Sequence, residues 1–322
     1  QMWRYIVRRL LWVAVVVLII TAFTFVIFFV MPPTDPAVQF AGKNPTPEQI
    51  AEVRRQFGLD KPLYQQYGLF LKNIFTGDEY GWPGLGFSFV TRSPVRDLLL
   101  DRLPVTIQLA LGAALVWLCL GIPIGIVSAI KRRSLMDRVS MLTALFFVSA
   151  PVFWLGLMAL WLFWYKLKIS PGTGYVPIGQ SFGGWLSHMI MPWVVLALLY
   201  AAFYARMTRG NLIETMGQDY IRTARVKGLT EWKVIMKHGV RASLTPVVTL
   251  IGLDLGALLG GAVITETVFN LQGIGQWAVN SVFQGDLPAV LAVTVIVALA
   301  VTLMNLIVDV VYAYLDPRVR FS

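Results

Sequence analysis

Few side chains in this chain have the type and spacing that chemistry needs. Asp254 is a lone carboxylate inside a long apolar run, and Glu266 follows near the end of the same run. A charge at mid-membrane costs about 2.5–3.5 kcal/mol on insertion scales. A carboxylate kept there marks a candidate translocation path or gate; the plain alternative is an Asp that is protonated or bonded to a neighbouring helix. Asn305 and Asp309, at i and i+4 in another apolar run, share a helix face and suit interhelical hydrogen bonding. Catalytic groupings are missing. No Gly-x-x-x-x-Gly-Lys-Ser/Thr loop is present to cradle a phosphate, and Gly42-Lys43 is followed by Asn44-Pro45. His-Glu-x-x-His and Gly-x-Ser-x-Gly are also absent. His188 and His238 are far apart and Cys119 is the lone cysteine, so neither a metal site nor an intrachain disulfide is expected. The expectation is a chain with no catalytic residue, metal or cofactor of its own. Energy for any transport must come from a partner ATPase or an ion gradient.

Composition says what solvent positions these residues. Of 322 residues 57% are hydrophobic and 14% charged, against about 25% charged in soluble domains. Mean hydropathy is +0.68. The net charge of +10 comes from basic residues in the segments between apolar runs, so it reads as membrane topology and not as nucleic-acid binding.

Six runs are long enough to cross a bilayer, about 20 residues each: roughly Leu10–Met31, Pro104–Ile130, Val139–Tyr165, Met189–Met207, Leu244–Phe269 and Leu287–Tyr314. In hydrocarbon every backbone group needs an internal partner, so the runs are read as helices and the fold as all-α and polytopic. Pro123 and Pro151 are expected to kink theirs. The first run is too long for a signal-peptide core and is read as a retained helix. Most of the 27 Lys and Arg fall on one side if both termini are cytoplasmic, and the segment between Asn270 and Asp286 has none. This gives an N-terminal span (1–31), an extracytoplasmic loop (32–103) and a five-helix core (104–322).

The outer loop carries helix signals. Thr46-Pro47-Glu48-Gln49 is a capping box with Pro at the first helical position. Ile50, Val53 and Phe57 make one face and Gly58 the stop. A second helix follows Asp60-Lys61-Pro62, with Tyr67, Phe70, Leu71 and Ile74 as its apolar face, and ends near Gly77. The cytoplasmic loop 208–243 reads as a basic helix over Asp219–Lys227, a stop at Gly228 and a second helix from Glu231 capped by Thr230. Its apolar residues alternate with Arg and Lys, which suits equally a helix at the headgroups or one docked in a partner's groove. In the fifth run Gly252, Gly256 and Gly260 form a small-residue face for helix packing, and Asp254 points roughly opposite.

At this loop the sequence Asp219-Tyr220-Ile221-Arg222-Thr223-Ala224-Arg225-Val226-Lys227-Gly228 resembles the coupling loop of ABC importer permeases of the dipeptide/oligopeptide/nickel family. Elsewhere Trp3–Leu10 resembles the N-terminus of the same family, Gly58–Pro62 with Gln66-Tyr67 its outer loop, Glu266–Phe269 its motif after the fifth span, and Asn305–Asp309 with Tyr312 and Asp316–Arg320 its C-terminal signature. Two positions depart from the pattern. Arg222 replaces the general motif's glutamate, as is usual in the peptide subgroup, and Gln272 stands where the subgroup often has proline. The resemblance implies the type I importer fold and the first permease of a peptide importer. It further implies coupling to an ATPase through Asp219, Tyr220, Arg222, Thr223, Ala224, Arg225, Lys227 and Gly228. Implied partners are a second homologous permease, two cytoplasmic ATPase subunits that hold ATP and Mg, an extracytoplasmic binding protein and membrane lipid, with no nucleic acid. The competing readings are a permease for nickel or other small solutes, a gradient-driven transporter and a membrane enzyme. No internal repeat and no catalytic constellation is visible for the last two.

Overall fold

A computed structural model describes residues 2–259 and 262–315, almost wholly as helix. In chain order the elements are α1 (Met2–Phe25, extended by a π turn Val26–Val30), α2 (Pro36–Phe40), α3 (Pro47–Phe57), α4 (Leu63–Thr76), β1 (Phe87–Ser88), β2 (Ser93–Pro94), α5 (Val95–Ile130) and α6 (Leu135–Ser149). There follow α7 (Val152–Ala159, extended by a π stretch Leu160–Lys166), α8 (Phe182–Met216), α9 (Asp219–Val226), α10 (Glu231–Lys233, extended by a π stretch Val234–Val240), α11 (Arg241–Ser243), α12 (Thr245–Leu259), α13 (Val263–Phe269), α14 (Ile274–Gln284) and α15 (Leu287–Leu315).

Among the described residues four helices are long and apolar enough to cross a membrane: Val7–Val30, Val95–Ile130, Phe182–Met216 and Leu287–Ile307. The count reaches six if each of two bent pairs is one span. Sequence periodicity does not show these bends. The third expected run is two helices, Leu135–Ser149 and Val152–Lys166, meeting at 103°. The cause is Pro151, which has no N–H to donate and forces the residue before it out of helical geometry; Ala150 is extended at ψ 128°. By contrast α5 runs unbroken through Pro123. The fifth run is entered through Glu231–Ser243, bent by 44° from α12. It ends as α12, and the short α13 then begins at Val263. Gly260 and Asp316–Arg320 lie outside the described residues.

The chain divides into two compact units. The first comprises Gln1–Ile107, Gly256–Val263 and Gln272–Leu306. Its core is a phenylalanine cluster. Phe29 stacks on Phe40 at 5.0 Å and lies 5.1 Å from Phe25, 5.3 Å from Phe57 and 5.8 Å from Phe70. The helices α2–α4 thus close over the end of α1, with Leu291 and Val295 of α15 in the same cluster. The Thr46 capping box forms in both directions, Gln49 N–H to Thr46 Oγ1 and Thr46 N–H to Gln49 Oε1, and Gly58 takes φ 61° to end α3. The β1–β2 ribbon is tied down by Ser88, whose hydroxyl donates to Asp286 Oδ2 at 2.6 Å. Asp286 caps α15 through Ala289 N–H. Burial pushes its carboxyl above the ordinary range, and the Ser88 and Ala289 hydrogen bonds offset part of that rise.

The second unit comprises Gln108–Leu255, Ile264–Leu271 and Ile307–Ser322. Its centre is the contact of α5 and α6 with α8. A Cβ on Gly121 would sit 2.8 Å from the carbonyl oxygen of Ala201, and one on Gly125 would sit 2.6 Å from that of Ala205. Two glycines at i and i+4 therefore let the backbones touch, the usual route to tight association in lipid. Further along, the Trp193 indole lies on Gly112 and donates to the Gln108 carbonyl at 2.9 Å. The Gln108 side chain receives Tyr175 at 3.0 Å and Trp185 at 2.7 Å.

Gly121→Leu or Gly125→Leu must push α5 from α8 and should cost about 1–3 kcal/mol. The check is the thermal midpoint of the detergent-purified chain, with Leu120→Ala, on the exposed side of α5, as the control that changes it little. Equal midpoints for all three would refute the close contact.

Candidate functional site

The segment after α8 folds on itself. Ile221, Ala224 and Val234 are buried together, with Met216 packed against them. Gly228 turns the chain at φ 76°, with open space around its Cα. The other side of this small unit faces outward. Val226 is 87% exposed and Trp232 67%; Asp219, Tyr220, Arg222, Thr223, Arg225 and Lys227 are exposed as well. Arg225 is held by Glu231 through two hydrogen bonds of 3.1 and 2.7 Å, which join the arms of the turn. The result is a platform with its own core and an amphipathic outer face. Ala224, one of the residues that the resemblance implies for coupling, belongs to the core of the platform.

Two turns before this platform, α8 is fixed by a buried ion pair that the sequence reading missed. Asp137, with its side chain 4% exposed, receives Arg209 Nε at 2.6 Å on one oxygen and Arg209 NH2 at 2.8 Å on the other. Ser128 Oγ donates to the same carboxylate, as does the Arg133 N–H at 2.9 Å. Every acceptor position is filled, the condition under which a buried pair is tolerated. The pair joins the α5–α6 turn to α8, two turns before α8 ends at Met216. Beside it a cleft of about 490 Å³ is lined by Arg132, Met216, Gly217, Arg225 and Glu231 among others. Only the residue types were legible in the sequence, because the partners are 72 residues apart.

Asp254 has a partner on another helix. Tyr204 OH donates to its Oδ2 at 2.6 Å. Tyr204 is fully buried, and Trp117 stacks over Tyr200 at 4.6 Å and Tyr204 at 6.1 Å. On α12 Gly252 is buried, and a Cβ on Gly256 would meet Met304 of α15 at 3.4 Å. Glu266 is fully buried in α13 and not set at an open interface. The Asn305 amide oxygen is buried without a hydrogen-bond partner among the described residues; the Asp309 side chain lies outside them. Gln272 sits at φ 57°, a conformation closed to proline, which accounts for the departure at that position. No group of three His, Cys, Asp or Glu able to hold a metal occurs among the described residues.

These features define a membrane-embedded helical subunit that carries a small folded helix–Gly–helix unit after α8. Residues 121–321 match the family model described as binding-protein-dependent transport system inner membrane component, and residues 2–110 match the N-terminal model of the same systems. A putative peptide transport system permease protein of Brucella abortus is 39% identical over 98% of this chain and 99% of its own length. The dipeptide transport system permease protein of Escherichia coli is 37% identical over 99% of both chains. A chain of the inward-facing methionine ABC transporter superposes with a TM-score of 0.56 at 19% identity, over 69% of this chain and 98% of that one, and so shares its fold. The chain belongs to the family of inner-membrane components of binding-protein-dependent transport systems: it is a permease subunit of an ABC importer.

Asp137→Asn leaves the half-buried Arg209 without a counter-charge. It should destabilise the purified chain by about 2–3 kcal/mol, below the full cost of breaking a sealed pair because Arg209 keeps some solvent contact. Denaturant unfolding in detergent checks this; an unchanged midpoint would show that the pair holds nothing.

Proposed function

We propose that this chain is one of two homologous permease subunits of an ATP-driven importer of di- or oligopeptides in the cytoplasmic membrane of a prokaryote. In this reading both termini are cytoplasmic, the 32–103 helical segment faces the extracytoplasmic binding protein, and the 208–243 segment faces two ATPase subunits. ATP and Mg belong to those subunits, and this chain catalyses no reaction.

One observation carries the reading. The helix–Gly–helix platform has buried its own apolar side in a core of Ile221, Ala224 and Val234, yet it still presents Tyr220, Val226 and Trp232 outward among Arg222, Arg225 and Lys227. A headgroup helix would put its apolar face into lipid. Here the original apolar face is spent, and the remaining aromatic and aliphatic knobs among cations suit a protein groove. Met216 of α8 packs against the platform core and the Asp137–Arg209 pair fixes α8 to α6, so that movement of the ATPase subunits reaches the bundle through α8. Asp254 and Glu266 are assigned to the path and its gate. Peptide as cargo rests on the names of the full-length relatives, since no residue here selects a peptide over another small solute.

Val226→Asp alters only the exposed knob and leaves the platform core intact. It should lower ATP-driven peptide uptake at least about tenfold, as loss of an interface anchor does, with normal membrane insertion. Wild-type uptake by this variant would sink the docking assignment.

A further inference from the structure

We propose that Asp254, held by the Tyr204 hydroxyl and with the partly exposed Tyr200 ring beside it, is a transient site for the terminal ammonium of the peptide as it crosses the bilayer. The inference rests on the peptide-importer reading above.

The site is built on a fixed donor. Tyr204 is fully buried and its hydroxyl holds Asp254 Oδ2 at 2.6 Å. Trp117, also fully buried, backs both tyrosines. That arrangement immobilises one carboxylate oxygen and leaves the other for a further partner. Among the described residues Oδ1 accepts no hydrogen bond, and Asp254 is only half-buried. Among the described residues no lysine, arginine or histidine is paired with it; the one arginine of α8 that binds a buried carboxylate, Arg209, is spent on Asp137. An intramembrane carboxylate with an open oxygen beside aromatic rings is the chemistry that binds an ammonium, through a charge-assisted hydrogen bond and the ring quadrupole. A divalent cation is a poor match, since it needs several oxygen ligands. The site is also weak enough for passage. A conduit must bind its cargo well enough to admit it and loosely enough to release it, and one open oxygen meets that condition.

The test uses the complete complex in proteoliposomes and initial uptake of radiolabelled di-alanine. Cys119→Ala, which removes the native thiol, serves as background and leaves uptake unchanged. On it Asp254→Cys should slow uptake about tenfold, the worth of one hydrogen bond to a charged group. Iodoacetate, which restores a carboxylate, should recover most of the rate; iodoacetamide, which adds a neutral group of the same size, should not. Asp254→Asn should match the iodoacetamide product, and Asp254→Glu should keep most of the rate. Equal uptake after both reagents, or unchanged uptake by Asp254→Asn, would overturn the site while leaving the peptide reading intact. Release of the second permease by Asp254→Asn on size exclusion would also overturn it, by assigning the carboxylate to a subunit ion pair. No di-alanine uptake by the unaltered complex would overturn the peptide reading and this site with it.

Discussion

In hydrocarbon no water is present to accept what the protein leaves unpaired, and this single constraint shapes the whole chain. It makes the spans helical. It also disciplines the polar side chains within them. Thr21, Thr24, Thr294 and Thr302 each return their hydroxyl to the carbonyl four residues back, at 2.8 Å in every case. Against that background the groups not satisfied within their own helix are few and have consequences. Asp137 is saturated by four donors from outside its own helix turn and from its flanks; among the described residues Asp254 is half satisfied, and the Trp117 indole N–H and the Asn305 amide oxygen have no partner.

One helix connects the saturated site to the open one. α8 carries Tyr204, which holds Asp254, then Arg209, which holds Asp137, and then Met216, which seals the core of the platform. Its contact with α5 is close because Gly121 and Gly125 leave only backbone between the two axes. In an importer that is driven from its cytoplasmic face, a stiff element with these three attachments is the shortest physical link between docking and the membrane interior.

Much of this was legible in the sequence. Apolar runs gave the helices, the Thr46 box and Gly58 gave α3, and Gly228 gave the turn of the platform. Gly256 of the expected Gly252, Gly256 and Gly260 face lies against Met304, and Asp254 bonds Tyr204 on a different helix. The break at Ala150-Pro151 was visible as a proline, but its 103° angle was not, because Pro123 sits in an unbroken helix with the same local chemistry. Gly121 and Gly125 carried a readable signal, a four-residue spacing of small residues, that was overlooked. The partners Asp137–Arg209 and Tyr204–Asp254 were beyond local reading: they are 72 and 50 residues apart, and only helix packing brings them together. That Ala224 points into the platform core was not legible, because a motif match says which residues recur and not which way they point.

The account stands on the claim that this chain is the membrane half of an ATP-driven assembly. The most direct test is purification from the native membrane in mild detergent, with mass-spectrometric identification and stoichiometry of what accompanies it. The account predicts one homologous permease and a pair of ATPase subunits, bound through the Asp219–Gly228 platform. Recovery of this chain alone, or with copies of itself and no ATPase, under conditions that preserve known complexes would contradict it.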